Sequence, residues 1–157
     1  MFDVVVVYLT RRTGESTEIL LGHKARGLGT GRLVGPGGKV LPGEDIKIAA
    51  SREVKEEVGI TVLPEHLHHM ATLTYPFTGR PNNSQRSFVF TATEFFGVAA
   101  PSDELTPAWY PVGNIPWEQM WDDAKLWLPR VLGGQFIEAT LTIGPDDRVV
   151  DQKWVSL

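Results

Sequence analysis

The chain has 157 residues, of which 42% are hydrophobic and 22% charged, and its net charge is −4. That length suits one domain, residues 1–157, able to bury roughly two thirds of its unfolded surface. The acidic balance discourages non-specific binding to duplex nucleic acid or an anionic membrane, and the lack of cysteine excludes disulfides, thiolate metal sites and cysteine catalysis.

Val4–Leu9 is a β-branched run that predicts a buried strand. The opening MFDVVVVYLT has an acid at Asp3, no basic lead and no small-residue cleavage site, so it reads as a first strand and not a signal peptide. No stretch approaches transmembrane length, and a cytoplasmic location is the default expectation. Thr10–Thr17 is polar and predicts a turn, and Glu18–Gly22 a second strand that completes a hairpin. Lys24 and Arg26 then precede the glycine-rich Gly27–Gly31, a pairing of cations with pliable backbone suited to a phosphate tail. Leu33-Val34 leads into Gly35-Pro36-Gly37-Gly38, which lets backbone approach a ligand closely without matching a P-loop or dinucleotide fingerprint.

The most informative stretch is Gly38–Ile60, GKVLPGEDIKIAASREVKEEVGI, which reads as loop, helix, loop. Pro42-Gly43 marks a turn, Glu44 or Asp45 offers an N-cap oxygen, and Gly59 supplies the stop. Ile46, Ala50, Val54 and Val58 form an apolar stripe. At about 100° per residue, Glu53 borders that stripe, Glu57 falls inside it, and Glu56 lies on the same third of the circumference. Like charges at these spacings repel, and the last helical turn disfavours anions. A purely structural helix would not gather carboxylates there. A hard divalent cation bound by oxygen ligands is the best-fitting compensation.

Further along, Thr61–His69 is a connection whose His66, His68 and His69 read as exposed loop histidines. Met70–Phe77 reads as a strand ended by Pro76, Thr78–Asn83 as a loop, and Arg86–Phe96 as a long strand. Ala99–Thr106 carries Asp103 and Glu104 ahead of an aromatic strand at Trp109-Tyr110. Ile115-Pro116-Trp117 begins a helix to about Leu132, with Trp121, Ala124, Trp127 or Leu128, and Val131 inward. Gln135–Ile143 and Val149–Val155 predict two strands joined by a turn at residues 144–147. Strands at both ends with one central and one late helix make the fold class α+β.

Gly38, Glu44, Arg52, Glu53, Glu56, Glu57 and Gly59 stand in the pattern G-x5-E-x7-R-E-U-x-E-E-x-G-U, with Val54 and Ile60 at the apolar positions U. At roughly 7% background per fixed position, chance gives such a match about once in 10⁸ windows. By this box the chain resembles the Nudix hydrolases. The resemblance implies an α/β/α sandwich around a mixed sheet, and hydrolysis of a diphosphate linkage in a nucleoside diphosphate derivative with Mg²⁺, or Mn²⁺, as cofactor. It implies Glu53, Glu56, Glu57 and the Gly38 carbonyl as metal ligands, with Glu104 completing the site, Arg52 orienting the carboxylates and Glu44 in support. Water would attack directly; Glu56, Glu57 and Glu104 are all candidates for its general base.

Beyond the box, LLGHKARGLGTGR, GPGGKV, SDELTPAWYPV and IPWEQMWDDAKLWLP are similar to the branch that hydrolyses oxidised purine nucleoside triphosphates. That likeness implies Trp121 stacking on the base, Asp123 bonding its edge, Phe77 as a second wall and Lys24 facing phosphate or sugar. Trp121 keeps a second reading as a core residue of an amphipathic helix. Two positions depart from the branch. Its base-reading asparagine falls on Val34, and its second aspartate falls on Ala124, or on Asp122 if the segment slips by one. Both changes point to weaker discrimination among bases. Pro76 is a weak marker of an ADP-ribose branch, so ADP-ribose and dinucleoside polyphosphates are the alternative substrates, and a non-catalytic nucleotide sensor is the alternative of another class. The partner is a nucleotide, with neither duplex nucleic acid nor membrane, and the chain is expected to be a monomer or weak dimer.

Overall fold

The structure, a computed structural model, describes residues 1–156. Strand β1 (Phe2–Thr13) runs antiparallel to β2 (Ser16–Lys24), with Thr10 opposite Ile19 and Thr13 opposite Ser16. The polar stretch expected to be an eight-residue turn is therefore ladder almost throughout, and only Gly14-Glu15 turns. Cross-strand pairs such as Arg11–Glu18 at 2.9 Å hold these polar residues in register.

Two short strands follow, β3 (Leu33–Val34) and β4 (Gly37–Lys39), and then helix α1 (Ile46–Val58). Of the two predicted caps it is Asp45 that serves, accepting from the N–H groups of Lys47 and Ile48, a contribution of about 1 kcal/mol. Gly59 ends the helix at φ 75°, in the left-handed region.

Strand β5 (His68–Tyr75) begins two residues earlier than expected and holds two of the three histidines. His69 is thus not an exposed loop residue but is half-buried, its ring edge-on to Phe136 at 5.4 Å and close to Phe88 and Phe90. His66 is also partly covered, 3.0 Å from Glu94. Strand β6 (Gln85–Ala92) stops four residues short of the predicted Phe96, which instead pairs with Thr61 across the end of α1. Strand β7 is Leu105–Pro111, and β8 (Ile137–Ile143) and β9 (Val149–Trp154) form the closing hairpin.

The late helix is the largest departure. Pro116 opens only a 3-10 turn at Trp117–Gln119, and helix α2 spans Ala124–Leu132. Its N-cap, Asp123, makes no capping hydrogen bond, because its carboxylate is engaged with Tyr75 and Trp127.

The strands join in the order β3-β2-β1-β6-β5-β8-β9, with β4 on β1 and β7 on β2. β1–β6 and β5–β8 are parallel and the remaining pairs antiparallel, so the sheet is mixed. Side chains alternate across it. Val5, Val7 and Leu9 of β1 pack with Ala50, Val54 and Val58 of α1, whereas Tyr8 packs on the opposite face with Trp127, Leu128 and Val131 of α2. The result is the expected α/β/α sandwich. α1 lies against β4 and β1, so the carboxylate-bearing edge of the helix meets the glycines of β4 at the sheet margin.

Candidate active site

The box folds into an oxygen-lined recess whose parts constrain one another. Arg52, one turn before Glu56, donates through Nε and Nη2 to both oxygens of Glu44, each at 2.8 Å. Its Nη1 reaches Glu53 at 2.9 Å and Glu56 at 3.3 Å, and Nη2 also reaches the Lys39 carbonyl at 3.1 Å. One guanidinium thus fixes three carboxylates and the strand before the helix. The Arg52 hydrogen bonds, aided by the Leu41 N–H, hold the Glu44 carboxyl down at about 2. Glu44 is a support for Arg52, in line with its expected place.

Glu57 is buried and accepts from the Gly37 N–H at 2.8 Å. Burial, joined by repulsion from Glu53 and Glu104, raises its carboxyl to about 7 against the pull of the Gly37 N–H and Lys24. Glu53 is raised as well, chiefly by burial, with Glu56 and Glu104 adding to it against Arg52. Glu53, Glu56, Glu57, Asp103, Glu104 and Lys24 line one cavity of about 430 Å³, with Gly37 and Gly38 in its wall. Glu104, before β7, is exposed and leans on Arg26 at 3.2 Å.

These side chains fit a hard divalent ion in chemistry. The donors are all oxygen, they crowd one recess, and two of them resist ionisation where no cation is present. Among the described residues no three of them converge to coordination spacing.

A second cavity, of about 650 Å³, adjoins the recess, sharing Lys24, Gly37, Gly38, Glu57 and Glu104 with it. At its far end Phe77 and Trp121 stand edge to face, 6.1 Å apart. The structure separates the two readings of Trp121: it precedes α2, lies outside the buried core and lines the cavity, whereas Trp127 and Leu128 supply the helix's inner face. Asp123 and Ala124 line the cavity too. Asp122 does not; it accepts from the Val149 N–H at 3.0 Å. Val34 is also in the lining, presenting only methyl groups. Ten of the residues singled out by sequence therefore fall on these two adjoining cavities, while Arg52 and its support Glu44 act from behind.

Sequence reasoning missed the residues that brace this far end. Asp123 is buried and accepts from the Tyr75 hydroxyl at 2.7 Å and Trp127 Nε1 at 2.8 Å; burial raises its carboxyl although both bonds oppose the shift. The four-residue spacing of Asp123 and Trp127 was the available signal. The guanidinium of Arg32 lies 4.7 Å over the Trp121 ring and that of Arg80 5.2 Å over Phe77. Asp147 bonds both arginines, at 3.4 and 2.6 Å, from a left-handed φ of 63° in the β8–β9 turn. No local pattern links residues 32, 80 and 147.

A family profile for the NUDIX domain matches residues 2–131. The chain is 42% identical over 114 residues to an oxidized purine nucleoside triphosphate hydrolase of Danio rerio, covering 73% of this chain and 71% of that one. Among solved structures it is similar to a MutT protein of Bacillus halodurans, with a TM-score of 0.81 at 23% identity over 98% and 97% of the two chains. It is also similar to the NUDIX domain of Shewanella oneidensis NrtR in complex with ADP ribose, at TM-score 0.68 and 14% identity over 85% and 87%.

Proposed function

The chain belongs to the Nudix family of hydrolases, and we propose that it cleaves oxidised purine nucleoside triphosphates to the nucleoside monophosphate and pyrophosphate. The observation that carries this reading is the continuity of the two cavities: a carboxylate recess for a metal-borne polyphosphate opens onto an apolar slot walled by Phe77 and Trp121. A nucleotide that stacks its base in the slot brings its phosphates past Lys24 to Glu53, Glu56, Glu57 and Glu104.

We assign the divalent ion, Mg²⁺ with Mn²⁺ as substitute, to Glu53, Glu56, Glu57, Glu104 and the Gly38 carbonyl. When bound it neutralises the polyphosphate and acidifies the attacking water. The chain does the rest. Arg52 holds Glu53 and Glu56 in place, Lys24 supplies positive charge between slot and recess, and one of Glu56, Glu57 and Glu104 takes the water's proton. Trp121 stacks on the base, Phe77 stands at right angles to it as a second wall, and Asp123 meets the base edge. A role in clearing damaged nucleotides from the precursor pool follows from that substrate.

Product analysis tests the reading. Phosphorus NMR of a Mg²⁺ reaction with 8-oxo-dGTP should show monophosphate and pyrophosphate in equal amounts. Diphosphate with inorganic phosphate would place the attack at the wrong bond. Glu57→Gln should keep nucleotide binding and lose turnover; binding and turnover both intact would remove the proposed mechanism.

A further inference from the structure

Only three polar or charged residues are buried among the described residues: Glu57, Asp123 and Ser87. All three line the 650 Å³ cavity. Glu57 accepts from Gly37, and Asp123 accepts from Tyr75 and Trp127. Ser87, 6% exposed, carries the third polar side chain of that wall.

Its position is informative. Ser87 sits mid-strand on β6, opposite Val4 of β1 and Leu73 of β5, where a small apolar residue would cost the sheet nothing. Side chains of a strand alternate in facing. Arg86 and Phe88 turn to the other face, where Arg86 pairs with Asp3 at 3.1 Å and Phe88 joins the α1-side core. Gln85 and Ser87 share the cavity face. Gln85 ties one amide N–H to the Asn83 carbonyl at 3.2 Å, which leaves its oxygen as an acceptor toward the cavity. A hydroxyl donor and an amide acceptor thus stand two residues apart on one strand, in a cavity that Val34 also lines.

We propose that Ser87 and Gln85 form the hydrogen-bonding subsite that reads the nucleobase, taking a base edge on which a carbonyl lies beside a ring N–H. Ser87 donates to the carbonyl and Gln85 accepts from the N–H. Discrimination lost at Val34 is relocated to β6. The inference rests on the nucleotide reading of this cavity and adds which side of it selects the base.

The test compares kcat/KM of wild type, Ser87→Ala, Ser87→Thr and Gln85→Leu on 8-oxo-dGTP, dGTP and dATP, with Tm measured for each. Ser87→Ala should reduce the preference for the lactam-edged bases over dATP by about tenfold, the loss of one neutral hydrogen bond, and the change should appear in KM. Gln85→Leu should reduce it similarly, and Ser87→Thr, which keeps the hydroxyl, should restore it. A base preference unmoved in Ser87→Ala and Gln85→Leu, or an equal loss on all three substrates, overturns the subsite while leaving the enzyme reading intact. Failure of the wild type to hydrolyse any of the three overturns both.

Discussion

A Cβ atom added to Gly38 would stand 2.6 Å from the carboxylate carbon and both oxygens of Glu53. The fixed glycine of the box is therefore explained by a neighbour fifteen positions downstream: only hydrogen leaves room for that carboxylate against β4. Gly38→Ala should keep the fold, since a carboxylate is the far end of a flexible side chain, yet weaken Mg²⁺ binding at least about tenfold. Gly37→Ala contrasts with it, because the added carbon would run into the Val5 carbonyl of the paired strand. A drop of several degrees in Tm for Gly37→Ala, with Gly38→Ala near wild type, is the expected pattern.

Arg52 is the hub of the recess, and lysine cannot replace it. A lysine offers one compact charge where Arg52 makes a two-pronged bond to Glu44 and reaches Glu53, Glu56 and Lys39 as well. Arg52→Lys should lower kcat/KM roughly 10- to 100-fold while the protein still folds. Circular dichroism with steady-state kinetics checks both halves.

The elements that positioned this site were largely legible in the sequence, and the reasons are local. The period of Ile46, Ala50, Val54 and Val58 and the stop at Gly59 fix α1, and the carboxylates follow from its geometry. What was not legible depends on long-range contact. The resemblance singles out Asp123, but its bond to Tyr75, 48 residues earlier in the chain, has no local signal. The predicted helix from Ile115 begins only at Ala124, after Trp121 lines the cavity and Asp123 bonds Tyr75 and Trp127 in place of the helix N–H groups. Ser87 differs from its neighbours by a single hydroxyl on the inward parity of a strand, a signal that acquires meaning only once the cavity is there.

The clasp of Arg32, Asp147 and Arg80 backs both aromatic walls. Asparagine tolerates the left-handed backbone at 147 but lacks the charge. Asp147→Asn should raise KM for the nucleotide about fivefold, the scale of a partly exposed ion pair, and leave Mg²⁺ binding unaltered. Isothermal titration of the metal beside the kinetics distinguishes this from general unfolding.

Stability of the metal-free protein should fall as pH rises. Burial first, then the neighbouring carboxylates, lifts Glu57 from 4.5 to about 7. The protonated form is favoured in the fold, so this contribution is complete below about 4.5 and is lost as pH climbs through about 7. A divalent ion competes with that proton, so its stabilising effect should grow across the same window. Thermal melts between pH 5 and 8, in EDTA and in Mg²⁺, should diverge as pH increases, and Glu57→Gln should flatten the EDTA curve. A metal effect constant with pH would contradict the assignment of Glu57.

The central claim is that an oxidised purine nucleoside triphosphate is the substrate, bound with its base against Trp121 and Phe77 and its phosphates at the carboxylates. It is tested most directly by kcat/KM with Mg²⁺ across 8-oxo-dGTP, 2-hydroxy-dATP, the four normal triphosphates, ADP-ribose and a dinucleoside polyphosphate. The account predicts that an oxidised purine triphosphate leads the panel, releasing pyrophosphate. A lead for ADP-ribose, or for the dinucleoside polyphosphate, would contradict it.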